Sequence, residues 1–85
     1  MDIEFDPAKE AANIEKHGVS LARAADLEIL RFVDNTREED GERRFRLYGL
    51  LDGQPHCAVV TLRDGAVRAI SLRKANRTER KRHGL

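Results

Sequence analysis

The side chains best equipped for chemistry in this 85-residue chain are imidazoles and guanidiniums. His17 sits in the stretch "EKHGVS", directly after Lys16 and before Gly18. An imidazole titrates near neutral pH, so it can give or take a proton where most side chains cannot. The same stretch has a simpler reading. Cations in the last turn of a helix complement its negative end, and Gly18 stops the helix. A second cluster lies far along the chain: Arg63, Arg68, Arg73, Lys74, Arg77, Arg80 and Arg82, followed by His83. A guanidinium fork donates two hydrogen bonds to one phosphate, so this cluster suits a phosphate backbone. Tyr48 is the candidate for stacking on a base. His56 opens the apolar run "HCAVVTL" and reads as an ordinary strand residue.

The net charge of +1 conceals an asymmetry. Residues 1–42 carry a balance of −7, and residues 43–85 a balance of +8. Sharing one core, such halves make an acidic face and a basic face. A basic face is the electrostatic footprint of a polyanion binder. The alternative reading is solvated charge that serves solubility. The length allows one domain, residues 1–85, with an aliphatic core, since there are three Phe, one Tyr and no Trp. No window approaches the roughly 18 apolar residues of a membrane span, and no signal peptide is visible. Cys57 lies in an apolar run and reads as a small buried hydrophobe, which fits a reducing cytoplasm. One Cys and scattered His give no metal-ligand spacing and no cofactor motif.

The elements that would hold these residues are legible. "DIEF", residues 2–5, reads as a short strand. "DPAKEAANIEKHG" reads as a helix with Asp6 as N-cap, Pro7 at the first helical position and Gly18 as the stop. Ala8, Ala11, Ala12 and Ile14 supply its apolar side. Asp6 and Asn13 read as structural, a cap and a polar residue bonding a neighbouring loop. Ser20 caps a second predicted helix over 21–30, with Leu21, Ala24, Ala25 and Leu27 buried. "NTREEDGE" reads as a loop. "RFRLYGLL" alternates, with Phe45, Leu47 and Gly49 on one side and Arg44, Arg46 and Tyr48 on the other. Asp52-Gly53 and Asp64-Gly65 mark turns around the most apolar run. "AVRAISLR" follows, and alternation predicts that Arg68 projects opposite Val67 and Ala69. Asn76 and Glu79 have the spacing of a capping box for a last helix. The expected architecture is α+β: an antiparallel sheet of three to four strands, two N-terminal helices and a short C-terminal helix. The helices are expected on one face of the sheet, with the other face open.

"FDPAKEAANIEKHGVS" together with "TLRDGAVRAISLRKANRTER" resembles the BrnT family, the toxin half of the BrnT/BrnA type II toxin–antitoxin system. The resemblance covers nearly the whole chain. Asp6, Lys9, Asn13, Lys16, His17 and Gly18 match the first motif. Arg63, Arg68, Ser71, Arg73, Lys74, Ala75 and Glu79 match the second. Phe5 stands where many members have Trp, Val60 where many have Tyr, Leu72 where Ala is usual, and His83 where a Tyr is often found.

The resemblance implies a RelE-like fold and a metal-independent endoribonuclease that arrests translation. It implies a BrnA-like antitoxin as partner, which binds operator DNA for the pair. Cleavage would use the RNA's own 2′-hydroxyl. That attack needs a base, cations to stabilise the phosphorane and an acid for the leaving oxygen. The implied catalytic residues are His17 or His83 as acid or base, with Arg63, Arg73 and Lys16 around the phosphate. Arg68, Lys74, Arg77 and Arg80 would bind RNA, and the antitoxin would cover the basic face. Two other classes stay open on the residues alone: a non-catalytic RNA- or DNA-binding module, and an interaction protein whose basic face holds an acidic partner.

Overall fold

The computed structural model describes residues 2–85, apart from the side chain of Asp40. Asp52-Gly53 has φ of 52° and 76°, and Asp64-Gly65 has φ of 50° and 79°. Positive φ at both positions makes the type I′ turn, whose twist matches that of its flanking strands. These turns join β2 (Arg43–Leu51), β3 (Gln54–Arg63) and β4 (Ala66–Lys74). A further strand, β1 (Glu28–Asp34), precedes them. The four strands form one antiparallel sheet in the order β1-β2-β3-β4. Alternation along β2 sends Phe45, Leu47 and Leu51 to one face, as the sequence pattern predicts. There they meet Ala58 and Val60 of β3 and Ala69 and Leu72 of β4. Leu21, Ala24 and Leu27 cover this face.

The helix expected over 21–30 is shorter and tighter than predicted. Ser20 caps it as expected, its Oγ accepting from the Ala22 amide at 3.1 Å. The element is a 3₁₀ helix, Leu21–Asp26, and the chain then enters β1. Ile29, Phe32 and Val33 are strand formers, and pairing with β2 overrides the weak helical pattern. Ala25, expected in the core, is exposed.

Helix α1 (Pro7–His17) has the expected bounds and caps, with Gly18 in the left-handed conformation at φ 71°. Its expected apolar side is not buried: Ala8, Ala11, Ala12 and Ile14 are all exposed. Polar groups dock it instead. The Asn13 amide donates to the carbonyls of Val19 and Leu72, both at 2.9 Å, and its Oδ1 accepts from the Leu72 amide at 3.1 Å. A side-chain amide thus imitates a strand's peptide group along the outer edge of β4. Glu10 accepts from Ser20 Oγ at 2.6 Å and from the Leu21 amide at 2.7 Å. The strand expected over 2–5 is a single parallel bridge between Glu4 and Arg68. Its backbone bonds, Glu4 N–H to Val67 O and Ala69 N–H to Glu4 O, close the same edge of β4.

Helix α2 (Arg77–His83) carries the predicted capping box, with Asn76 and Glu79 bonding each other's backbone. It lies against the sheet face opposite the core, through Glu79 and His83. The expectation of helices on one face only is therefore corrected: the 3₁₀ helix covers one face, α2 part of the other, and α1 flanks β4. The reason is that α2 has almost no apolar side chains and docks by a buried ion pair.

Gly49 is required where β1 crosses β2. A Cβ there would lie 1.9 Å from the Glu28 carbonyl oxygen. Gly49→Ala is expected to destabilise the protein by about 1–3 kcal/mol through this overpacking. Urea denaturation measures it as a lower midpoint.

Candidate active site

The basic face is assembled by a bulge. Arg68 and Arg73 are five residues apart, so strict alternation would put them on opposite faces of β4. The β3–β4 register shifts between Val59 and Val60, and the extra residue in β4 is Ile70. Ala69 and Leu72 consequently both face the core, while Arg68, Ser71 and Arg73 share the other face. The register sets Thr61 beside both Arg44 and Arg68, and Cys57 beside both Tyr48 and Arg73. Arg46 and Val59 lie between these rows.

Two adjoining depressions lie on this side. The larger, about 400 Å³, has Arg44, Arg63, Arg68 and Lys9 around Thr61 and Ser71, with Glu42 as its one carboxylate. The smaller holds His17 and Lys16 against Ile70 and Ser71. Lys9, Ile70 and Ser71 belong to both. Helix α1 thus presents its last turn to the basic sheet face. Partial burial, Lys16 and Arg73 together hold the His17 imidazole below its usual pKa. His17 is therefore mostly neutral at pH 7 and able to accept a proton.

Glu79 is the hub of the α2 end. Its carboxylate receives both forks of Arg73, at 2.6 and 2.9 Å, the Tyr48 hydroxyl at 3.1 Å and the Asn76 amide at 3.0 Å. Arg46 Nη1 lies 3.9 Å away. The Arg73 bonds, ahead of the other donors, lower its pKa to about 2. A carboxylate so held stays ionised and cannot act as an acid at neutral pH. His83 stacks on the Tyr48 ring, with centroids 4.1 Å apart. Burial pushes the Tyr48 hydroxyl and the Cys57 thiol above their usual pKa values.

The expected residues separate into groups. His17 and Lys16 share the smaller depression, Arg68 lines the larger one that adjoins it, and Arg73 lines neither but acts on His17 through its charge. Arg63 closes the far end of the larger basin, 3.8 Å from Glu42. Arg73 is not the solvent-facing side chain that its sequence position suggests, because its fork is taken by Glu79 and only 26% of its side chain is exposed. His83 lies on Tyr48 at the α2 end. Lys74 pairs with His56 and alternates away from Arg73, off the basic face. Arg77 and Arg80 are exposed on α2. Val60 and Leu72, two departures from the family motif, are core residues. Sequence reasoning gave no role to Arg44 and Arg46, although alternation put both on the face opposite the core. It read Glu79 only as a cap.

The arrangement can neutralise a run of phosphates across the sheet and offer a neutral imidazole beside them. Arg68 is partly engaged by Glu4 at 3.3 Å, whereas Arg44 keeps a buried Nε without a partner.

No curated protein and no solved structure matches the chain. A family does: the one described as "Ribonuclease toxin, BrnT, of type II toxin-antitoxin system" matches residues 5–79. That span holds both depressions and the whole Glu79 hub, and residues 1–4 and the last six residues, with His83, fall outside it. A match over this much of the chain, with a basic sheet face and an adjacent imidazole, means that the chain belongs to the BrnT ribonuclease toxins of type II toxin–antitoxin systems.

Proposed function

We propose that this chain is an active, metal-independent endoribonuclease, a RelE-like single domain that arrests translation in the cytoplasm until a BrnA-like antitoxin neutralises it. The observation that carries the reading is the convergence of Arg44, Arg63, Arg68 and Lys9 in one basin that adjoins His17. RNA lies along this face with its phosphates over the basin. Neutral His17 takes the proton from a 2′-hydroxyl, which attacks the adjacent phosphorus. Arg68, Lys9 and Lys16 stabilise the charge that develops on the phosphorane oxygens. Arg73, fixed by Glu79, contributes field rather than free donors. His83, the other imidazole that the resemblance offers, lies on Tyr48 at the α2 end and outside the basin, so the departing 5′-oxygen takes its proton from water. The antitoxin, in turn, carries the pair to operator DNA.

The basin is tested by salt. The logarithm of the affinity for a short single-stranded RNA should fall linearly with the logarithm of salt, and Arg44→Ala and Arg68→Ala should each flatten the slope by about 0.7. Slopes equal to wild type in both variants would remove the basin from the RNA path.

A further inference from the structure

The two edges of the sheet are treated differently. The outer edge of β4 is closed by Glu4 and Asn13. The outer edge of β1 is met by no described element. All seven residues of β1 are exposed. Ile29, Leu30, Phe32 and Val33 are among the few large apolar side chains left exposed, with Phe32 at 67%. β1 is bulged at Leu30, where its register on β2 shifts between Ile29 and Arg31, so the regular part of the open edge is Arg31–Asp34. An uncovered edge that carries exposed apolar side chains is a template for another strand, and proteins that keep one cover it.

A second copy paired over the whole strand fits this edge poorly. Two-fold antiparallel pairing over the full strand would set Arg31 against Arg31 and Glu28 against Asp34. Like charges directly opposite oppose pairing. The charges suit a different occupant. Glu28 lies at one end of β1, and Asp34, Glu38 and Glu39 lie at or just beyond the other, with apolar residues around Arg31 between them. This pattern is complemented by a strand with an apolar middle and Lys or Arg towards its ends.

We propose that the antitoxin anchors itself by adding such a strand to the open edge of β1. The proposal rests on the family's partnership with an antitoxin and not on RNA cleavage. It puts the anchor at the edge of the sheet remote from β4, so inhibition comes from the part of the antitoxin that continues beyond the anchor.

The test uses the toxin purified with, and then separated from, the protein encoded by the adjacent open reading frame. Leu30→Lys combined with Phe32→Lys should weaken the complex about thirtyfold or more, the scale of a lost hot spot. The RNA cleavage rate of the free toxin should stay at the wild-type value; because the Phe32 ring packs on Phe45, the melting temperature should fall somewhat, and Leu30→Lys alone, without that contact, should keep it while still weakening the complex. Glu28→Lys alone should weaken the complex about tenfold by repulsion of the basic strand end. Hydrogen exchange should slow at the outward-facing amides of Phe32 and Asp34 when the complex forms, which side-chain contact alone would not produce. Wild-type affinity in the double variant, protection confined to β4 and α1, or a toxin homodimer that the double variant dissociates would overturn the proposal. A toxin that cleaves no RNA but pairs through β1 would leave it standing and contradict the proposed function instead.

Discussion

Arg73→Ala should cost about 3–5 kcal/mol of stability. Its partner Glu79 keeps only 9% of its side chain exposed and receives both forks of the guanidinium. Removing the arginine leaves a buried carboxylate with the Tyr48 hydroxyl, the Asn76 amide and a distant Arg46 as its remaining support. Helix α2 loses its anchor with it. Replacing both partners by apolar residues, Arg73→Met with Glu79→Leu, should recover much of the loss, because no buried charge is then unpaired. The pH dependence has a definite sign. The folded state holds Glu79 at about 2, against an ordinary 4.5. Its contribution is therefore complete above pH 4.5 and is lost as pH falls towards 2. A shift of this size corresponds to on the order of 3 kcal/mol, in line with the substitution. Equilibrium denaturation at pH 7 and pH 3 should show a large gap between wild type and Arg73→Ala at pH 7 and a reduced one at pH 3. An equal gap at both would mean that the pair is not the anchor.

The second large effect is on rate. His17→Gln should lower the cleavage rate by about 10²–10⁴-fold, the usual contribution of acid–base catalysis. RNA affinity and stability should scarcely change, because His17 is exposed at a helix end. Since burial, Lys16 and Arg73 lower its pKa, the acid limb of kcat/KM should lie below pH 6.5 and disappear in the glutamine variant. A variant that retains the wild-type rate and the same acid limb would reduce His17 to helix punctuation.

Much of this molecule was written in local signals. The two Asp-Gly pairs, the Asp6-Pro7 start, the Gly18 stop and the Asn76/Glu79 box each specify backbone geometry by themselves, and each formed as expected. Two of the structural expectations that failed did so for reasons beyond local chemistry. Residues 28–30 continue a weak helical pattern but find a β partner, and the pairing decides. The apolar side of α1 stays in solvent because Asn13 and Glu10, polar residues, make its tertiary contacts.

The site was legible in composition and not in geometry. The gathering of arginines was plain, but parity separates Arg68 from Arg73, and nothing local in the sequence announces the bulge at Ile70 that reunites them. Likewise, the capping box marked Glu79 as a helix residue without revealing that its carboxylate also binds a strand arginine and a tyrosine. That contact depends on how α2 folds back over β2 and β4, a long-range event.

The central claim is that this basic face cleaves RNA through the RNA's own 2′-hydroxyl. The chemistry of the product ends tests it most directly. Purified toxin, freed of its antitoxin and treated with chelator, should cut a single-stranded RNA to leave 2′,3′-cyclic phosphate and 5′-hydroxyl ends. An otherwise identical RNA with a 2′-deoxy residue at the cut position should remain intact. Products ending in 3′-hydroxyl and 5′-phosphate, or cleavage of the deoxy-substituted strand at that position, would contradict the account.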